Sequence, residues 1–167
     1  PVLVATHQVN RVAALAVSAA EMLAFGERYM AQIVANAQAL AAALDARGIP
    51  VLGKSKGYTR THQVIADVRR FGGGLAVAQR LAEANLITNK NLLPDDRPED
   101  WDRPSGLRMG TIEVTRLGMG PAEMERIADW MARVLVDGAD PAAVASEGTA
   151  FREGFQTLYY TFEEGLP

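Results

Sequence analysis

Ser105-Gly106-Leu107-Arg108-Met109-Gly110-Thr111 sets one arginine in a short apolar run between two glycines. Residues 106–111 read as a strand. Glycine in a strand lets another backbone or a ligand come close. The planar guanidinium fork suits a bidentate carboxylate. A lone strand arginine is more commonly a surface or ion-pair residue, and both readings stand at this level. Two further runs flank it. Asn89-Lys90-Asn91 follows an apolar Leu86-Ile87 and reads as a turn, because asparagine tolerates left-handed backbone. Glu113-Val114-Thr115-Arg116-Leu117-Gly118 follows on the other side.

Working outward, residues 8–47 form one long helical region. Val12, Leu15, Ala16, Ala19, Met22 and Leu23 recur at helical spacing. After Gly26 the pattern resumes with Ile33, Val34, Ala37, Leu40, Ala41 and Leu44. All of these positions are expected in a core, since so wide an apolar stripe must pack on something. Gly48 and Pro50 end the helix. A short strand is expected near 50–53, and an alternating strand over 62–69. Gly72-Gly73-Gly74 opens a helix over 75–85. Such glycines can cradle a phosphate at a helix N-terminus, but no nucleotide-binding pattern surrounds them and a plain loop is favoured. Residues 92–105 read as a solvated loop, 121–136 as an amphipathic helix starting at Pro121, and 141–156 as a last helix. The fold class is α/β: a long N-terminal helix, then a small layer domain with a short, mostly antiparallel sheet and helices on one face.

The chain has 167 residues, 49% of them apolar, and a net charge of −3. That is enough for one real core. No basic stripe points to nucleic acid. No apolar run is expected to reach the roughly 20 residues of a membrane span, and no signal peptide is visible. The absence of cysteine removes disulfides and thiolate chemistry, and a cytoplasmic protein is expected. The two histidines, His7 and His62, are too far apart in sequence to suggest a metal site. His62 reads as structural.

Taken together and in this order, the three runs resemble the C-terminal part of serine hydroxymethyltransferase, a pyridoxal-phosphate enzyme of the aspartate-aminotransferase fold type, fold type I. Asn10-Arg11-Val12-Ala13-Ala14-Leu15-Ala16-Val17 is similar to the family's helix just after the cofactor lysine. The resemblance covers about residues 5–136 and implies the C-terminal portion of a longer enzyme. It implies a linking helical segment from the large cofactor domain (1–47), a small C-terminal α/β domain (48–137) and a C-terminal helical extension (138–167). Arg108 matches the arginine that holds the amino-acid substrate's carboxylate. Asn91 matches the pterin-contacting asparagine, and Lys90 belongs to the same folate-side run. Thr6 and His7 lie where the family's chain approaches the cofactor phosphate across a dimer interface, and are the cofactor-binding candidates.

The resemblance also has departures. Thr111 is followed by Ile112-Glu113 where the family usually has Pro-Ala, and Leu117 occupies the second basic position of Thr115-Arg116-Leu117-Gly118. These features, and the tail from Phe151 to Phe162, look more like the threonine transaldolase and α-methylserine hydroxymethyltransferase branch. That makes tetrahydrofolate a doubtful cofactor. The chemistry of pyridoxal phosphate needs a lysine Schiff base. Only Lys54, Lys56 and Lys90 are present, none upstream of the Asn10–Val17 helix. No catalytic residue is therefore expected here, and the chain alone should be inactive. Its expected partners are the missing N-terminal cofactor-binding segment, in cis or in trans, a second copy of itself, and an amino-acid substrate. The alternative is a non-catalytic binding or assembly module that kept the fold without the chemistry.

Overall fold

The computed structural model describes residues 8–167. Helix α1 spans Val9–Ala46, strand β1 Gln63–Asp67, helix α2 Gly73–Glu83, strand β2 Asn89–Asn91 and strand β3 Gly106–Gly110. Helix α3 covers Ile112–Arg116, α4 Pro121–Leu135 and α5 Pro141–Arg152. The three strands form one antiparallel sheet in the order β1-β3-β2, so the arginine-bearing strand is central.

Alternation along β1 and β3 divides the sheet into two faces. Val64, Ala66, Leu107 and Met109 point into the core with Leu44, Val77, Leu81, Met124, Met131 and Val134. Gln63, Ile65, Arg108 and Gly110 occupy the other face, which carries no helix among the described residues. Helix α1 packs its second half on α4. Asn36, fully buried, ties α1 to α3 and to the turn that leads into α4. Its side-chain amide donates to Thr115 Oγ1 and to the Met119 carbonyl, both at 2.8 Å, and its Oδ1 accepts from Gln32 at 2.9 Å. Thr115 Oγ1 in turn donates to the Thr111 carbonyl at 2.6 Å. Every polar group of the buried amide is thus used, as a low-dielectric interior demands.

The first half of α1 corrects the expectation of burial. Leu15 is 69% exposed and Leu23 is 91% exposed, and Val12 is likewise open to solvent. No described residue covers this part of the helix. One window of 18 residues in this helix, of mean hydropathy 1.3, is long and apolar enough by composition to cross a membrane, contrary to the expectation of no such run. Below it, Glu21 is buried and meets Arg116 at 2.9 Å. The C-terminal tail returns to the same stretch: Tyr160 packs on Tyr29 with ring centroids 4.6 Å apart, and Phe162 on Phe25.

Smaller differences have local causes. The strand expected near 50–53 is a single bridge, Val51 with Ala66, because Gly53 turns the chain away at φ 79°. Asn89–Asn91 is an edge strand and not a turn. Residues 112–116 coil into a helix turn that the β-branched Ile112, Val114 and Thr115 had concealed. The last helix stops at Arg152 rather than near 156; the Arg152 guanidinium turns back onto the Phe155 carbonyl. The amides of Gly72, Gly73 and Gly74 donate to the carbonyls of Arg69, Val68 and Pro104, so they are spent on the chain's own backbone, as in a plain loop.

Candidate functional site

Arg108 lies at the middle of the central strand, paired with Ile65 of β1 and Asn89 of β2. Directly paired residues in an antiparallel ladder share a face and sit about 5 Å apart at Cβ. The guanidinium therefore rises between an apolar neighbour and an amide. Its side chain is exposed and makes no ion pair or hydrogen bond among the described residues. Many of the chain's other arginines are committed: Arg47 to Glu125, Arg69 to Asp67, Asp95 and Asp96, Arg116 to Glu21, and Arg133 to Glu147. Arg108 stands in an open cleft of about 400 Å3, lined also by His62, Gln63, Thr88, Asn89 and Gly110.

The two flanking glycines do different work. A Cβ on Gly106 would collide with Leu93 Cδ2 and lie 2.7 Å from the Asn91 carbonyl, so this glycine allows the 92–105 loop to close over one end of the sheet. A Cβ on Gly110 would meet only His62 Cδ2, at 3.7 Å. Gly110 keeps the other end open beside the arginine. The loop is held by Asp96, whose carboxylate accepts from the Leu93 and Ser105 amides at 2.8 Å each and from Arg69 at 3.3 Å. Although burial opposes its charge, these donors keep its carboxyl well below the usual carboxylate range.

The other candidates are distributed differently. Asn91 is on the same face as Arg108 but pairs with Gly106, and its side-chain amide donates to the Leu92 carbonyl at 2.7 Å. Lys90, one position along, pairs with Leu107; its Nζ donates to the Trp101 and Asp102 carbonyls at 3.1 and 3.0 Å and lies over the Trp101 ring. Asn89, which the sequence reading passed over, is the direct neighbour of Arg108. Alternation in a strand puts Asn89 and Asn91 on one face, and only the register with β3 selects Asn89 as the partner of Arg108. Thr6 and His7 lie outside the described residues.

The serine hydroxymethyltransferase family model matches residues 4–131. The chain belongs to the serine hydroxymethyltransferase family. It is similar to the serine hydroxymethyltransferase of Staphylothermus marinus, 49% identical over 98% of this chain and 37% of that protein. It is equally similar to the Thermococcus kodakarensis enzyme, 49% identical over the whole of this chain and 39% of that protein. Among solved structures it is similar to L-threonine transaldolase from Pseudomonas fluorescens, with a TM-score of 0.75 and 31% identity over 87% of this chain and 33% of that one. The chain spans about two fifths of the length of the curated relatives it matches.

Membership in the serine hydroxymethyltransferase family implies pyridoxal phosphate as cofactor. The described lysines do not fit its covalent anchoring. Lys54 is paired to Asp45, Lys90 is spent on Trp101 and Asp102, and no lysine lines the Arg108 cleft. What the cleft offers from this chain is a cation, an amide and room for a ligand.

Proposed function

We propose that this chain is the C-terminal, substrate-carboxylate-binding part of a pyridoxal-phosphate-dependent hydroxymethyltransferase or aldolase acting on β-hydroxy amino acids such as serine, threonine or α-methylserine. The observation that carries the reading is Arg108: an unpaired guanidinium on the open face of a central strand, beside Asn89 and the open end at Gly110. A guanidinium fork binds a carboxylate by two parallel hydrogen bonds. The identity of 49% to named hydroxymethyltransferases, against 31% to the transaldolase, favours the hydroxymethyltransferase side of that pair. The Ile112-Glu113 and Thr115-Arg116-Leu117-Gly118 departures keep the transaldolase activity as the second reading, with folate use correspondingly in question. Residues 1–47 are then the link to a cofactor-binding segment, 48–137 the small domain and 138–167 its extension.

The exposed apolar first half of α1 supports the same reading. Val9, Val12, Leu15, Val17 and Leu23 leave an apolar helix surface open that is uncommon on a monomer. It packs against the N-terminal segment, against a second copy, or both, and the assembly works in the cytoplasm. One experiment tests the whole proposal. The chain is mixed with the N-terminal three fifths of the Thermococcus kodakarensis relative and supplied with pyridoxal phosphate and threonine. Co-sedimentation, aldehyde release, and a borohydride-stable adduct on a lysine of the N-terminal part are expected. Independent sedimentation with no aldehyde would favour the non-catalytic module, and an adduct on Lys54, Lys56 or Lys90 would show the active site to be misplaced.

A further inference from the structure

His62 stands just before β1, and its carbonyl accepts from the Thr111 amide at 3.2 Å. Strict alternation would carry its side chain to the core face with Val64 and Ala66. The ring lies instead over Gly110, on the face that carries Arg108. Its Cδ2 is 3.7 Å from the point where a Gly110 Cβ would stand, and nothing else among the described residues comes within 4 Å of that point. The residue is half-buried and lines the same cleft as the arginine.

The sequence alone reads His62 as structural. Its backbone agrees with that, since the carbonyl is engaged by Thr111. Its ring does not, because neither ring nitrogen makes a hydrogen bond among the described residues. A neutral imidazole carries one N–H donor, and a charged one carries two, so the ring has a donor to offer in either state. No aspartate or glutamate lines the cleft to take it. The remaining polar side chains of the wall, Gln63, Thr88 and Asn89, are uncharged. With Arg108 as the fixed cation, the group this wall favours is an anion.

We propose that His62 is a second anchor for the ligand carboxylate, its ring N–H donating to the group that the Arg108 guanidinium holds. Gly110 follows Arg108 by two residues, about 7 Å along the strand. A carboxylate with a charge-assisted hydrogen bond of about 2.8 Å on each side spans roughly that distance. Arg108 comes from β3 and His62 from the entry to β1, so the two donors fix the ligand from different segments. Gly110, bare of a side chain, leaves the space between them open. The identity of the ligand as a carboxylate rests on the functional reading given above; the position of the ring over Gly110 does not.

Acetate is a suitable probe, titrated into the chain and read by the NMR shifts of the Arg108 guanidinium. Nitrogen shifts of the His62 ring, told apart from those of His7 by their loss in His62→Gln, should saturate at the same acetate concentrations. His62→Phe should weaken acetate roughly tenfold, and His62→Gln, which keeps an N–H donor, should recover most of the affinity. In an Arg108→Ala background His62→Phe should change little, because the shared ligand is already lost. A wild-type His62 ring that does not respond while Arg108 does would overturn the second anchor and leave the carboxylate reading standing, and this measurement needs no variant to fold. Equal acetate affinity in His62→Phe would overturn it as well. No acetate response at Arg108 itself would remove the carboxylate reading and the second anchor with it.

Discussion

Arg108 and Asn89 are cross-strand partners on the open face of the sheet, with Ile65 on the other side of the arginine. The pairing places a cation and a neutral amide within reach of one ligand while the same strand buries Leu107 and Met109 in the core. The rigidity of the site therefore comes from the packing on the opposite face, and the residues facing the cleft are left with few partners of their own.

The glycines on either side of Arg108 should respond oppositely. Gly106→Ala forces a methyl against Leu93 and the Asn91 carbonyl and should lower stability by about 1–3 kcal/mol in chemical denaturation. Gly110→Ala has room and should change stability by less than about 0.5 kcal/mol. It should nevertheless weaken carboxylate binding by narrowing the cleft. Equal stability losses at both sites would contradict this division of roles.

Asn36 should be among the most costly polar residues to remove. Asn36→Ala deletes both 2.8 Å bonds and leaves the Met119 carbonyl buried without its donor. A loss of about 2–4 kcal/mol is expected from the midpoint of urea unfolding. A loss below about 1 kcal/mol would mean that α1 is not tied to residues 115–119 through this amide.

Helix α5 should loosen in acid through one carboxylate. Arg133 first, and then the Trp130 indole, hold the Glu147 carboxyl at about 2, below its usual 4.5. A depressed pKa gives stability that is complete above the unfolded value and fades as pH falls through the folded one. The contribution is therefore present above about pH 4.5 and disappears toward pH 2. Wild type and Glu147→Gln should differ in Tm at pH 7 and converge near pH 2, with Trp130 fluorescence reporting the release. A Tm difference that stays constant from pH 7 to pH 2 would rule the pair out as the cause.

Much of the architecture was readable because it rests on local signals. Gly48 and Pro50 stop α1, Pro121 starts α4, and the alternation of Val64, Ala66 and Val68 marks β1. What escaped depends on partners distant in sequence. Periodicity shows that Val12, Leu15 and Leu23 form a stripe but not what covers it. The short helix over 112–116 carries no strong local signal, and the Thr115 hydroxyl bonds the Thr111 carbonyl one turn back only once that turn has formed. In the candidate site, the flanking glycines and the motif were enough to single out Arg108 as a candidate. Asn89 and Thr88 were not, because choosing among Thr88, Asn89, Lys90 and Asn91 requires the register with β3.

The most direct test of the account is the affinity of the assembled protein for its amino acid with Arg108 altered. With the chain grafted in place of the matching part of the Thermococcus kodakarensis relative, glycine binding and threonine cleavage can be measured together. Arg108→Ala should cost about 2–4 kcal/mol of amino-acid binding, roughly thirty- to a thousand-fold, and Arg108→Lys should recover only part, because an ammonium lacks the planar fork. Unchanged binding and cleavage in the alanine variant would contradict the carboxylate role and the function built on it.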